Sequence, residues 1–313
     1  MKVYSFGTET VPVALAGDLL VGSAHDGRNY RIMLARLEGG DIVETRFLAG
    51  ENDWEGHSAL SLNDGYFIGG AVEGTATPSG GEDWRAYLAR LDENLSRLWE
   101  LKLDVRNNGA VYSILPAGEE VLIAGETGGP GDKGFFLGKV SLDGKLLWLK
   151  DFGSWEDAVF TSLLPSENGL ELLGSVKAGT GLWVVNSFRF SRDGKFLRED
   201  TLFEGIALTA RIWKGKLVLG GYRGGNFWVR AGDSEAVLGD GSVTSILPLG
   251  KGLLAGGELG GKAVIVEIAN GEGPKIRELW ENGWIEVLNN GLVLGVMGTA
   301  MVVLSLGNWF PAP

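Results

Sequence analysis

Two histidines and no cysteine occur in 313 residues, so imidazole chemistry rests on His25 and His57 alone. Each has a carboxylate close by in sequence, Asp26 beside His25 and Asp53 four residues before His57. A histidine held by a carboxylate could act as a general base near neutral pH. Against this stands the default reading of two surface histidines, because no serine or threonine lies in a nucleophile motif and no H-E-x-x-H spacing occurs. A hydrolase or lyase therefore has a base without a marked nucleophile, and no catalytic residue is assigned. The missing cysteines also remove disulfides, thiolate nucleophiles and Cys-ligated zinc.

Aromatic residues beside acids form the second group. Trp54-Glu55 and Trp155-Glu156-Asp157 each place an indole next to carboxylates, a pairing suited to stacking on a sugar or holding an Arg- or Lys-bearing peptide. The plainer alternative is a tryptophan folded back over a neighbouring element. Glu126 and Glu258 each follow a small residue and glycine, and with Asp132 and Asp157 they could offer oxygens to Ca²⁺. Such an ion needs about six to eight ligands, and no Asp-x-Asp-x-Asp-Gly loop supplies them, so neither a metal nor a cofactor is expected. Arg106-Asn107-Asn108 reads as a polar turn, expected to lie opposite the acidic loops.

The charge balance narrows the partners. With 28 Lys plus Arg against 40 Asp plus Glu, the net charge is −12 and the pI near 4.8, which disfavours nucleic acid because counterion release needs a basic surface. Glutamine is absent and glutamate abundant, a composition expected of a protein working at high temperature. Lys2 is followed by no long apolar run, so no secretory signal is read and the cytoplasm is expected. Val287 to Pro313 carries no charge and has the length of a membrane span of about 20 residues. It is interrupted by Asn289, Asn290, Gly291, Gly295 and Gly298 without flanking Lys or Arg, and the same residues fit strands of a repeat, so no membrane is expected.

What must position these groups is visible in the glycines, whose number, 51, is about twice the usual share. An apolar run ending in glycine recurs around Gly22, Gly69, Ala124-Gly125, Gly174, Gly220, Gly256 and Gly295, at intervals of 36 to 55 residues. Before it lies another short strand: Ser113-Ile114-Leu115-Pro116, Ser162-Leu163-Leu164-Pro165 and Ser245-Ile246-Leu247-Pro248 are close copies, with Ala59-Leu60-Ser61-Leu62 looser. After it come a third alternating strand, as in Tyr87-Leu88-Ala89-Arg90-Leu91, and a fourth reached through Asp143-Gly144 or Asp193-Gly194. Asp-Gly between alternating strands marks a hairpin. Four antiparallel strands per unit of this length is the blade pattern of a propeller. The seventh copy ends after three strands, and Val3 to Gly7 matches a missing fourth strand that would close the ring.

With Leu142-Asp143-Gly144-Lys145-Leu146-Leu147-Trp148, the chain resembles β-propeller repeat families, among them the quinoprotein-like and archaeal or bacterial repeats built on an Asp-Gly turn and a Trp. It lacks the recurring Gly-His and Trp-Asp of WD40 repeats. The resemblance implies an all-β, seven-bladed β-propeller as a single domain over residues 1–313, with inner strands lining a channel and sites on the face bearing the loops between strands two and three and between blades. Those loops include 25–29, 72–83 and 127–133, and 50–56, 106–109 and 154–157. Trp84 and Trp183 sit at a repeated spacing before Arg90 and Arg189 and are read as packing. The function read first is a non-catalytic, monomeric platform for a protein or peptide. The alternative is a carbohydrate or small-ligand site, with hydrolase or lyase activity open, at the channel mouth near His25, Asp53, Trp54 and His57. A deep channel with converging carboxylates would favour the alternative, and a plugged channel under an exposed Trp face the platform.

Overall fold

The computed structural model describes residues 1–74, 83–177, 179, 181–232, 234–250, 252–269, 273–289 and 291–306. Each of the seven glycine-ended runs is the second strand of a four-stranded antiparallel blade. The innermost strands are Glu9–Ala16, Trp54–Leu62, Ala110–Pro116, Ala158–Ser166, Ile206–Trp213, the end of Ser234–Pro248, and Gly283–Asn289. Lys2–Tyr4 supplies the fourth strand of blade 7, with Lys2 opposite Val303, Val3 opposite Val302 and Tyr4 opposite Met301. Tyr4 and Phe6 then pack with Met33, Leu294 and Met301, joining blade 7 to blade 1. Within the uncharged stretch, residues 287–289, 292–297 and 300–305 thus belong to blade strands, and residues 290 and 307–313 lie outside the described part. Among the described residues no helix is long and apolar enough to cross a membrane.

The core is divided among the spaces between blades, because successive side chains of a strand point to opposite faces. Leu19 and Val21 join Tyr66, Ile68 and Tyr87 between blades 1 and 2, while Leu20 faces blade 7. This double coverage is why each second strand is apolar throughout instead of alternating. Gly174, Gly220 and Gly256 sit where the neighbouring blade comes closest: a Cβ at Gly174 would lie 2.3 Å from Cζ of Phe135.

One junction departs from the repeat. Ser234–Pro248 is a continuous 15-residue strand that serves as the outer strand of blade 5 and the inner strand of blade 6. Asp240 pairs with Asn226 of blade 5 and Gly241 with Leu259 of blade 6, so two blades share a seven-stranded sheet. Here Asp-Gly runs straight through instead of turning.

At the outer rim the Asp-Gly turns and tryptophans interlock. Trp99, in the fourth strand of blade 2, donates its Nε1 proton to the Leu142 carbonyl at 3.0 Å and lies against Gly144 of blade 3; Trp148 lies against Gly194 of blade 4 in the same way. Gly144 has φ of 89°, and a Cβ at this position would lie 2.9 Å from the Trp99 indole. Gly144→Ala is expected to cost about 1–2 kcal/mol in chemical unfolding, through its strained φ and displacement of Trp99; an unchanged midpoint would contradict this account of the repeat. Arg90 contributes to the same rim, with Nη1 donating to the Leu142 carbonyl at 2.7 Å and Nη2 to Asp64 at 2.5 Å.

Candidate functional site: the channel mouth

Every inner strand carries a β-bulge at the same place. The register skips Val13, His57, Tyr112, Thr161, Leu208, Thr244 and Glu286, one per blade. A bulge re-aims the extra residue off the ladder, and six of these seven line a central cavity of about 580 Å³ (Leu208 is the exception). Hydroxyl groups at and beside the bulge stitch the inner strands together: Ser58 donates to the Val111 carbonyl at 3.1 Å, Thr161 to that of Ala207 at 2.7 Å, and Ser245 accepts from the Leu288 N–H at 2.9 Å.

The chemistry gathers over blades 2 to 4. His57 Nε2 lies 3.4 Å from Glu55 Oε2, and its ring is 4.6 Å from that of Tyr112. Tyr112 in turn stacks on Phe160 with centroids 6.0 Å apart and planes within 18°. Glu126, at the end of the second strand of blade 3, accepts the Phe160 N–H at 2.6 Å. Burial raises the Glu126 carboxyl above its usual range, with Asp157 adding to the rise and the Phe160 N–H, Lys133 and His57 opposing it. Burial, with Glu126 and Glu55 nearby, pushes the Tyr112 phenol up. Tyr30 donates to Glu9 at 2.7 Å, and that bond with desolvation pushes its phenol up to about 12. Among the described residues no hydroxyl is hydrogen-bonded to His57, so the His57–Glu55 pair is a base without a nucleophile.

The other residues singled out in the sequence are placed differently. Trp54 is 7% exposed and packs edge-on against Tyr87 at 5.1 Å, so it fills the space between blades 1 and 2 and offers no stacking surface. Trp155, half-buried, rests on Phe135 and Phe188 at 5.3 and 5.5 Å. A large apolar ring beside a gap between blades gains more from burial than from exposure, which corrects the reading of Trp54 as a binding plate and leaves Trp155 half-buried. Glu156 pairs with Lys177, and exposed Asp157 caps its own strand through the Ala158 N–H at 3.0 Å. His25 is hydrogen-bonded by Thr8 at 2.7 Å, and Asp26 accepts from the Arg28 and Asn29 N–H groups and pairs with Arg31 at 3.1 Å. Asp53 accepts the Tyr30 N–H at 2.8 Å, which makes the two loops neighbours as expected; the carboxylate on His57 is that of Glu55.

Arg106 is not opposite the acidic loops. It pairs with Asp132 at 3.0 Å and Asp151 at 2.9 Å, while the Asn107 carbonyl accepts the Gly128 N–H. Glu258 accepts the Gly261 N–H within its own turn and does not meet Glu126. Residues 75–82 of the expected 72–83 loop lie outside the described part. The loops are also uneven. Blades 5, 6 and 7 join their second and third strands through two-residue turns, 224–225, 260–261 and 298–299, whereas blades 1 and 3 use 26–29 and 128–132. The mouth is therefore walled more highly at blades 1 and 3 and low on the side of blades 5 to 7.

A ring of four-stranded antiparallel blades around a channel, closed by its own N-terminal strand, makes the chain a β-propeller protein. It is similar in structure to puromycin hydrolase (16% identity, TM-score 0.66, 97% of this chain and 53% of that one). It is also similar to the WD40 β-propeller domain of Doa1 (14%, 0.57, 96% and 95%) and to the β-propeller domain of the trilobed protease from Pyrococcus furiosus (12%, 0.53, 98% and 100%). The chain spans about half the length of the puromycin hydrolase chain it matches. No protein-family model and no curated protein matches the sequence.

Proposed function

We propose that this protein binds a small organic cation, an amine or guanidinium compound, at the channel mouth between Glu55, Glu126 and the Tyr112 ring. The carrying observation is that Glu55 and Glu126 both act electrostatically on Tyr112, which lines the water-accessible channel together with His57, while Glu126 is half-buried and its charge only partly balanced. A cation there would offset the desolvation of Glu126 and face the Tyr112 ring, each of which favours an ammonium over a neutral sugar. Binding without chemistry fits a base that has no nucleophile beside it.

A second reading, a partner protein presenting an arginine or lysine to the same carboxylates, draws on the longer loops of blades 1 and 3. Both readings need the same acids, and titration calorimetry separates them from the sugar alternative. Spermidine and arginine are expected to bind the wild type and glucose not to. Glu55→Gln/Glu126→Gln should weaken binding by roughly tenfold or more, the scale of losing a charge-assisted contact in a partly buried site. Affinity should also fall on acidification, as Glu126 takes up its proton from above the usual carboxylate range. Equal affinities in wild type and double variant would refute the assignment.

A further inference from the structure

The inner strand of blade 5, Ile206–Trp213, carries Arg211 three residues past its bulge. That places it about 10 Å further along the channel than the bulge ring, at 3.3 Å per residue. At the register-equivalent place the other blades carry Ala16, Leu60, Leu115, Leu164, Leu247 and Asn289, none of them charged. Arg211 lines the cavity together with Thr209, which is two residues back on the same side of the strand. Its Nη1 donates to the carbonyl of its own neighbour Ala210 at 2.9 Å, and among the described residues it forms no ion pair. The side chain is open to the channel, yet desolvation by the strands around it lowers its affinity for the proton.

The guanidinium is exposed to the channel it lines and has no counter-charge there. Its planar fork of donors matches a carboxylate or a phosphate. We propose that Arg211, with the Thr209 hydroxyl beside it, anchors a small oxyanion, a carboxylate or phosphate group, in the part of the channel beyond the bulge ring. This site is independent of the cation reading at the mouth, since neither Glu55 nor Glu126 takes part in it.

The test is thermal unfolding and titration calorimetry of wild type, Arg211→Met and Arg211→Lys at constant ionic strength, in sodium phosphate, sodium acetate and sodium chloride. Phosphate or acetate is expected to raise the wild-type midpoint above its value in chloride, because a ligand of the folded state stabilises it by mass action. Which of the two acts more strongly identifies the oxyanion. Arg211→Met should lose that response and, in chloride, unfold close to the wild type, since it replaces a side chain exposed to the channel. Arg211→Lys keeps the charge without the fork and should bind roughly tenfold more weakly; it decides the matter if the methionine variant does not fold. Equal anion responses in wild type and variants, or no response in the wild type, would overturn the proposal.

Discussion

Phe135→Ala is expected to destabilise the protein by about 4 kcal/mol, the range for emptying a fully enclosed phenylalanine site. Phe135 is fully buried between blades 3 and 4, with ring centroids of Phe152, Trp155, Phe160 and Phe188 at 6.1, 5.3, 6.3 and 5.6 Å. The aromatic cluster cannot close over the gap, because its members are fixed on different strands of two blades and Gly174 opposite has no side chain to swing in. The thermal midpoint should fall by about 6 °C. The mouth should feel the change too. Phe160, which touches Phe135, supplies the N–H held by Glu126 and the ring under Tyr112, so cation affinity should drop along with stability. A loss below about 1 kcal/mol in urea unfolding would mean the cluster is not packed as described.

Glu286→Gln is expected to remove the fall in stability that this carboxyl causes between weakly acid and neutral pH. Burial raises the Glu286 carboxyl to about 7, opposed by the hydrogen bond donated from the Trp284 indole. Folded protein therefore holds a proton that the unfolded chain has released once the pH passes the ordinary glutamate range. Stability contributed by this group is fully present below that range, declines as the pH rises, and is lost once the pH passes about 7. Its size is about 2–3 kcal/mol, at 1.36 kcal/mol per pH unit with a reduction for water in the channel. Glutamine keeps the shape and never ionises, so the variant should match the wild type near about pH 5 and exceed it near about pH 8. Parallel urea-unfolding profiles for the two proteins would show that the carboxyl is solvated.

The ring of bulge residues was partly legible. Tyr112, Thr161 and Thr244 immediately precede the serine of the Ser-(Ile/Leu)-Leu-Pro repeat, and His57 precedes Ser58, the residue just before the looser copy Ala59-Leu60-Ser61-Leu62. That position marks the channel lining, yet it reads as ordinary alternation until the bulge is seen to push it out of the ladder. Glu286 has Val287 after it instead of serine, and nothing local signals its burial. Arg211 looks like one more strand arginine, since its isolation depends on six other blades offering no acid at that level. Trp54 and Trp155 carried the opposite signal. Beside carboxylates in junction segments they resemble binding plates, and only the packing of adjacent blades shows that both fill gaps.

The sequence by itself determined the repeat: seven apolar, glycine-ended strands, the Asp-Gly turns and the N-terminal strand that closes the ring, read at residues 3–7 and found at Lys2–Tyr4. These are local and periodic requirements, set by burial on two faces and by turn geometry, so they recur from copy to copy. Tertiary structure alone decided the continuous strand at Asp240-Gly241, the burial of the tryptophans, the pairing of Arg106 with Asp132 and Asp151, and the meeting of Glu55, His57, Tyr112 and Glu126. Those features arise where different blades face one another across a gap or the channel. Charge, burial and distance there are properties of the assembled ring and of no single repeat.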